Sequence, residues 1–160
     1  MKRLIDLSHT IEHGMITYKG LPAPIICDYL SREQSRNIYG AGAEFQIGKI
    51  EMVANTGTYV DVPFHRYADG KDMSEVALER FARLDAIVVR ADHKKGIDVG
   101  KHFFENLDLR GKAVLINTNW SHYWGTDQYF ENHSFLTEEA AIFLRDAGVV
   151  LVGIDSHNID

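Results

Sequence analysis

The fold is decided by three short apolar runs, Ala86-Ile87-Val88-Val89-Arg90, Lys112-Ala113-Val114-Leu115-Ile116-Asn117 and Val149-Val150-Leu151-Val152-Gly153-Ile154. Each run has the length of a buried strand. Between the first two, Val99–Leu107 has the spacing of a helix, and a second helical stretch precedes the third run. This alternation of strand and helix predicts short parallel strands with helices packed on them.

The ends of the predicted helices carry recognisable signals. Thr137 is a good N-cap residue, and it is followed by Glu138 and Glu139 in the first turn. Gly148 suits the end of that helix. A third helix is predicted over Ser74–Arg83, where the apolar residues are spaced to share one face.

The first half of the chain reads mainly as strands. Alternating apolar and polar residues predict strands over Arg3–Ser8, Ile25–Leu30 and Glu44–Ala54, whereas polar Ser31–Gly42 reads as a loop. The predicted fold class is therefore α/β with a β-rich N-terminal half. A length of 160 residues fits a single domain, 1–160.

Composition narrows the class of partner. The net charge is -6 and no basic run is present, which argues against a nucleic-acid partner. The sequence has no long apolar segment and no signal peptide at the N-terminus, so neither a membrane partner nor secretion is expected. Its one cysteine, Cys27, cannot form an internal disulfide and lies in an apolar run, where a small buried residue is expected. We expect a cytoplasmic protein with a small-molecule substrate.

The most informative segment for chemistry is Asn55-Thr56-Gly57-Thr58-Tyr59-Val60-Asp61-Val62-Pro63-Phe64-His65. In an extended backbone, alternate side chains point the same way, so Asn55, Tyr59, Asp61 and His65 would line one surface. Pro63 should bend the chain out of the sheet. The polar row is then a pocket wall, although Asp61 and His65 are equally compatible with a turn acid and a surface histidine.

This segment resembles the signature His-x-Gly-Thr-His-x-Asp-x-Pro-x-His of the cyclase family of metal-dependent hydrolases, which are similar to kynurenine formamidase (arylformamidase). Five positions match and two histidines are replaced, by Asn55 and Tyr59; the matching residues are Gly57, Thr58, Asp61, Pro63 and His65. Three further segments also resemble sequences of this family: Ile5-Asp6-Leu7-Ser8, Asn117-Thr118-Asn119-Trp120 and Gly153-Ile154-Asp155-Ser156.

The resemblance implies a swivelling β/β/α domain, assembled as a dimer or tetramer. It implies a divalent metal, zinc or manganese, at the positions of Asn55, Tyr59 and Asp61, with His65 as a further ligand or a catalytic group. The metal would activate water for hydrolysis of an amide C–N bond. The reaction carried over is the conversion of N-formylkynurenine to kynurenine and formate, a step of tryptophan catabolism.

Two departures from the family pattern bear on that chemistry. Asn55 and Tyr59 offer oxygen donors in place of imidazole nitrogen, which should weaken zinc and leaves a non-catalytic relative as the alternative. The chain also stops at Asp160, where family members continue, so we expect a C-terminally truncated domain that lacks the last strands.

Three more residues are candidates for substrate binding. Trp120 is either the wall of an aryl pocket or a packed loop aromatic. Arg66 would hold a substrate carboxylate or is simply a surface charge. Asp155 is expected to be a buried hydrogen-bonding anchor near the pocket. The remaining histidines in polar stretches are predicted to be solvated; they are His93, His102, His122 and His133.

Overall fold

The computed structural model describes residues 4–40 and 42–160. Backbone contacts divide the chain into two compact units, Met1–Val60 and Asp61–Asp160. The single domain expected from the length stays a prediction.

The first unit contains an antiparallel pair of strands and one helix. Strands β1 (Ile25–Leu30) and β2 (Ile47–Glu51) pair with Ile26 opposite Ile50. The register shifts between Asp28 and Leu30, which marks an irregularity in the ladder. The prediction for β1 is confirmed to the residue, and the long strand predicted over Glu44–Ala54 shortens to β2.

Helix α1 (Arg32–Tyr39) occupies the segment predicted as a loop, and that prediction is wrong. The helix starts with a capping box, in which the Gln34 backbone N–H donates to Ser31 Oγ at 3.2 Å and the Ser31 N–H donates to Gln34 Oε1 at 2.8 Å. Ser35 is buried and accepts a bond from the Phe45 N–H at 3.0 Å. This bond ties α1 to the approach to β2.

The strand predicted over Arg3–Ser8 does not form over residues 4–8, and Arg3 lies outside the described residues. Leu4, Ile5 and Leu7 are all largely exposed. Among the described residues, no strand pairs with this segment, and an alternating pattern without a ladder partner does not make a strand.

The second unit is built on a parallel sheet of three strands in the order β3-β5-β7. These strands are β3 (Ala86–Arg90), β5 (Ala113–Asn117) and β7 (Leu151–Ile154). Val88 pairs with Leu115, and Leu115 pairs with Gly153. The predicted parallel strands are thus confirmed, and their carboxyl ends lie along one edge.

Shorter elements complete this unit. Strands β4 (Asp98–Val99) and β6 (Phe135–Leu136) form a second parallel pair. Helix α2 (Glu138–Asp146) begins at its predicted cap, Thr137, whose Oγ1 accepts from the Ala140 N–H at 3.2 Å. Gly148 was predicted at the end of this helix; it follows the C-cap residue Ala147 and has a φ of 79°.

Two predicted helices are wrong. The only helical turn within Ser74–Arg83 is the 3-10 helix Leu78–Arg80. The only helical turn within Val99–Leu107 is the 3-10 helix Lys101–Phe103. Leu78 is 71% exposed, so the apolar spacing has no surface to bury against. Phe104 is fully buried without a long helix, because the loop itself carries it into the core.

The core of the second unit lies between the parallel sheet and α2. Val114 and Ile116 of β5 and Ala140 and Leu144 of α2 are buried, together with Phe104. Such packing supplies most of the free energy that holds a sheet and helix together. Within the residues that the structure describes, no helix has the length and apolar character needed to cross a membrane.

A half-buried histidine sits among aromatic rings beside this core. The ring of His157 lies 5.5 Å from Tyr129, 5.2 Å from Phe130 and 5.3 Å from His133, centre to centre. Burial lowers the pKa of His157, and the charge on His133 lowers it further. The folded chain therefore binds fewer protons here than the unfolded chain.

This lowered pKa predicts a loss of stability in acid. The contribution of His157 is complete above its unfolded pKa of about 6.5 and is lost as the pH falls through the lower folded value. We expect His157→Phe to flatten the fall in the free energy of unfolding between about pH 7 and about pH 5, measured by urea denaturation. Exposed His102→Phe is the matched control, and equal slopes for both variants would contradict the assignment.

Candidate functional site

The signature segment is a bent turn and not an extended strand. Residues 54–58 form successive bends, and Gly57 has a φ of 68°. Thr56 is buried, and its hydroxyl donates to the Val53 carbonyl at 2.7 Å. A Cβ at position 57 would lie 2.9 Å from Ile11 Cγ1, so glycine is required for both space and conformation.

This turn overturns the alternation on which the polar row was predicted. Asn55 is half-buried and Tyr59 is exposed, and both belong to the first unit. The left-handed residue between them breaks the two-residue period. Their proposed roles as metal ligands stay predictions.

Asp61 and His65 come together across the proline bend. Asp61 Oδ1 lies 3.7 Å from His65 Nδ1, and the two side chains are 48% and 52% exposed. Pro63 begins a single-turn 3-10 helix, Pro63–His65, that brings the imidazole back toward the carboxylate. The pair is accessible to a ligand from solvent.

The loop that carries His65 is closed by its own backbone. The Phe64 N–H donates to the Lys71 carbonyl at 3.1 Å, and the Tyr67 N–H donates to the Pro63 carbonyl at 2.9 Å. A Cβ on Gly70 would lie 2.6 Å from the Pro63 carbonyl carbon. Gly70 therefore allows the two ends of the loop to meet, which holds the proline bend in place.

The donors present do not complete the zinc site implied by the family signature. Among the described residues, no three His, Cys, Asp or Glu side chains are grouped so that they could hold a metal ion. Asp61 and His65 supply two strong donors, whereas a zinc site takes at least three protein ligands. The Asn55 amide is a weak donor, and the Tyr59 phenol must lose a proton to bind a metal. Zinc or manganese stays a prediction.

A second polar network joins the carboxyl ends of β5 and β7. Asp155 accepts bonds from Asn117 Nδ2 at 2.7 Å, the Thr118 N–H at 2.6 Å and the Asn119 N–H at 3.0 Å. The Thr118 hydroxyl also donates to Asp155 Oδ1 at 2.5 Å. The carboxylate thus behaves as the hydrogen-bonding anchor expected from the sequence; whether it also contacts substrate stays a prediction.

The carboxyl end of β3 reaches the same edge. The His93 backbone N–H donates to the Thr118 carbonyl at 3.0 Å, and its Nδ1 lies 2.9 Å from the same oxygen. The His93 side chain is only 9% exposed, so the prediction that it is solvated is wrong. Sequence reasoning missed His93 as a site residue, although its position three residues after the end of β3 is a usable signal.

Trp120 supports the loop that follows β5. It is buried, and its indole N–H donates to the Tyr129 carbonyl at 3.0 Å. The His93 ring meets the Trp120 ring edge-on at 5.2 Å. These contacts favour the packed-aromatic interpretation of Trp120 over a pocket wall.

Two other expectations fare differently. Arg66 is exposed beside His65, where it ends the 3-10 turn, and its carboxylate-binding role stays a prediction. Cys27 was expected to be buried, and that is wrong, because it is exposed on β1. Five of the six residues of β1 are exposed, so an apolar run in this two-stranded sheet does not imply burial.

Comparison with known proteins identifies the class. The family described as "Putative cyclase" matches residues 5–160. The chain belongs to the cyclase family. The kynurenine formamidase of Bacillus anthracis is 27% identical over 157 residues, which cover 98% of this chain and 69% of the relative. That of Bacillus cytotoxicus is 29% identical over 160 residues, with the same two shares. These relatives indicate a hydrolase.

Solved structures agree on the fold. Isatin hydrolase A from Ralstonia solanacearum superposes with a TM-score of 0.77 at 20% identity, covering 99% of this chain and 68% of that one. A structure described as a predicted metal-dependent hydrolase from Bacillus stearothermophilus gives 0.70 at 24% identity, covering 98% and 70%. The mixed α/β fold of the family expected from the signature is thereby confirmed.

The anchor at the strand ends yields a stability prediction. Asp155→Asn keeps the shape but turns an amide N–H₂ toward backbone N–H donors, so charge-assisted bonds are lost. We expect a loss of about 2–3 kcal/mol in the free energy of unfolding, measured by urea denaturation. Asp160→Asn, an exposed acid five positions on, should change it by less than about 0.5 kcal/mol. Equal small effects would show that the network contributes little.

Proposed function

We propose that this protein hydrolyses the C–N bond of an amide, with Asp61 and His65 as its reacting pair. The observation that carries the proposal is the 3.7 Å approach of the Asp61 carboxylate to His65 Nδ1 on an accessible turn. Membership of the cyclase family and similarity to kynurenine formamidases support this reaction class.

The pair has the arrangement of a general base and the group that orients it. If His65 carries its hydrogen on Nδ1, toward the Asp61 carboxylate 3.7 Å away, the Nε2 lone pair is free to take a proton from water. The water then attacks the carbonyl carbon, and the protonated imidazole returns its proton to the leaving nitrogen as the C–N bond breaks. No step is assigned to a metal, because the described donors do not complete a metal site.

The proposed substrate is an aryl formamide of the N-formylkynurenine kind. The relatives named kynurenine formamidase are the support for it. Arg66, exposed beside His65, would bind a substrate carboxylate. Asp155 and Trp120 would act on substrate only through the loops they hold. A cytoplasmic location and a homo-oligomeric assembly, dimer or tetramer, belong to the same proposal.

Activity is the direct test of the reacting pair. Purified protein should release formate from N-formylkynurenine, and His65→Gln should lower kcat/KM at least about 100-fold, since general base catalysis contributes about 10²–10⁴. Asp61→Asn should lower it less, because it removes only the orienting charge. Asp69→Asn, an exposed acid in the same loop, is the control and should keep full activity. If the parent protein is inactive, or if His65→Gln matches it, the proposal fails.

A second candidate is a non-catalytic relative that binds a small ligand. The observation in its favour is that Asn55 and Tyr59 stand where the signature has histidines, in a chain whose described part holds no three-donor cluster. Under this reading, the turn at Asn55–Tyr59 makes hydrogen bonds in place of metal bonds. Absence of hydrolysis together with ligand binding would select it.

Metal content tests whether the altered signature of this chain, with Asn55 and Tyr59, binds less metal than the signature with both histidines. We expect less than one zinc or manganese per chain after equilibrium dialysis, measured by elemental analysis. The double variant Asn55→His, Tyr59→His should take up more, because imidazole is a better zinc donor than an amide or a phenol. Tyr67→His, an exposed substitution outside the signature, is the control. Stoichiometric metal in the parent protein would show that Asn55 and Tyr59 are competent ligands.

A further inference from the structure

A small polar cavity opens at the carboxyl edge of the β3-β5-β7 sheet. It encloses about 270 Å³ and is lined by His93, Lys94, Asn119, Ser121 and His122. These residues follow β3 and β5, and none of them belongs to the Asp61–His65 pair. The carboxyl ends of parallel strands are where ligands bind in open α/β sheets.

Both imidazoles of the cavity are held in the same way. His93 Nδ1 lies against the Thr118 carbonyl at 2.9 Å, and His122 Nδ1 lies against the Asn119 carbonyl. A carbonyl only accepts, so each Nδ1 carries the hydrogen and each Nε2 is left for another partner. The two rings are stacked with their centres 5.4 Å apart. The backbone therefore fixes the orientation of both rings.

The charge around the cavity favours an anion. In the described part of the chain, no carboxylate lies within ion-pair distance of the Lys94 ammonium. Asp92 is the nearby acid: its carboxylate accepts the Lys94 backbone N–H at 3.1 Å and lies 3.7 Å from His93 Nδ1. That backbone bond is the main cause of its lowered pKa, and a bond from the Asn119 side chain and the charges of His93 and Lys94 lower the pKa further. An anion in the cavity therefore has to share these groups with the Asp92 carboxylate. A lysine in the lining disfavours a divalent cation.

We propose that this cavity binds a small oxyanion, a carboxylate or a phosphate. Lys94 supplies the charge, Ser121 supplies a neutral donor, and the Asn119 amide, which already bonds the Asp92 carboxylate, has a second N–H to offer. Each imidazole Nε2 can accept a hydrogen from a protonated phosphate. The ring of Tyr123, 5.6 Å from that of His93, adds an aromatic neighbour. The proposal is independent of the amide hydrolysis assigned to Asp61 and His65.

Calorimetric titration of the full chain with inorganic phosphate, acetate and benzoate at constant ionic strength tests the site. Lys94→Gln should weaken binding at least about tenfold, since a hydrogen bond to a charged group is worth about 1.5–3 kcal/mol. Lys95→Gln is the matched control, because Lys95 is an exposed neighbour outside the lining. Ring C–H signals of His93 and His122 should shift on binding, which a surface lysine effect would not cause.

The three probes distinguish the sources of the anion. Binding of phosphate alone assigns a phosphate site, and tighter binding of benzoate than acetate assigns an aromatic carboxylate. The proposal is overturned if no probe binds, if Lys94→Gln and Lys95→Gln behave alike, or if the two histidines do not respond. The measurement does not involve hydrolysis, so failure here and failure of the proposed activity remain distinguishable. Because Lys94 is exposed, its replacement should leave thermal unfolding unchanged.

Discussion

The carboxylate of Asp155 joins two neighbouring parallel strands at the edge where the loops begin. It accepts bonds from the side chain of Asn117 and from the backbone of Thr118 and Asn119. The last backbone bond between β7 and β5 is the one from the Asp155 N–H to the Ile116 carbonyl, at 3.2 Å. Beyond it, the Asp155 carboxylate holds the segment that follows β5, and the conformation of the following loop depends on it.

The bonds to Asp155 affect the segments that follow the other strands at the carboxyl edge of the β3-β5-β7 sheet. Asn119 adopts a left-handed conformation with a φ of 62°, which turns the chain into the 3-10 helix Trp120–Tyr123. The Thr118 carbonyl accepts a bond from the backbone N–H of His93, which follows β3, and also lies against Nδ1 of the same residue. Three strands are thus linked by a continuous polar network, and the cavity between His93 and His122 is its outer face.

The Asp61–His65 pair is formed by different means. Its geometry is local, because the proline bend and the backbone closure between Phe64 and Lys71 place both side chains within a few residues. Local closure leaves the pair open to solvent. The strand-end network instead depends on residues 38 positions apart in the chain, and it is half-buried. The proposed reacting pair and the Asp155 anchor therefore lie at separate points of the second unit.

The sequence by itself determined the three parallel strands, the helix after Thr137 and the meeting of Asp61 with His65, because each follows from a local pattern: a short apolar run, a cap or a proline bend. The capping box of α1 was also present in the sequence, but the polar composition of the segment favoured a loop prediction. Only the tertiary structure decided that Leu78 stays exposed and that His93 is enclosed. The physical reason is that the burial of a side chain depends on which distant part of the chain packs against it. The spacing of apolar residues carries no information about that packing partner.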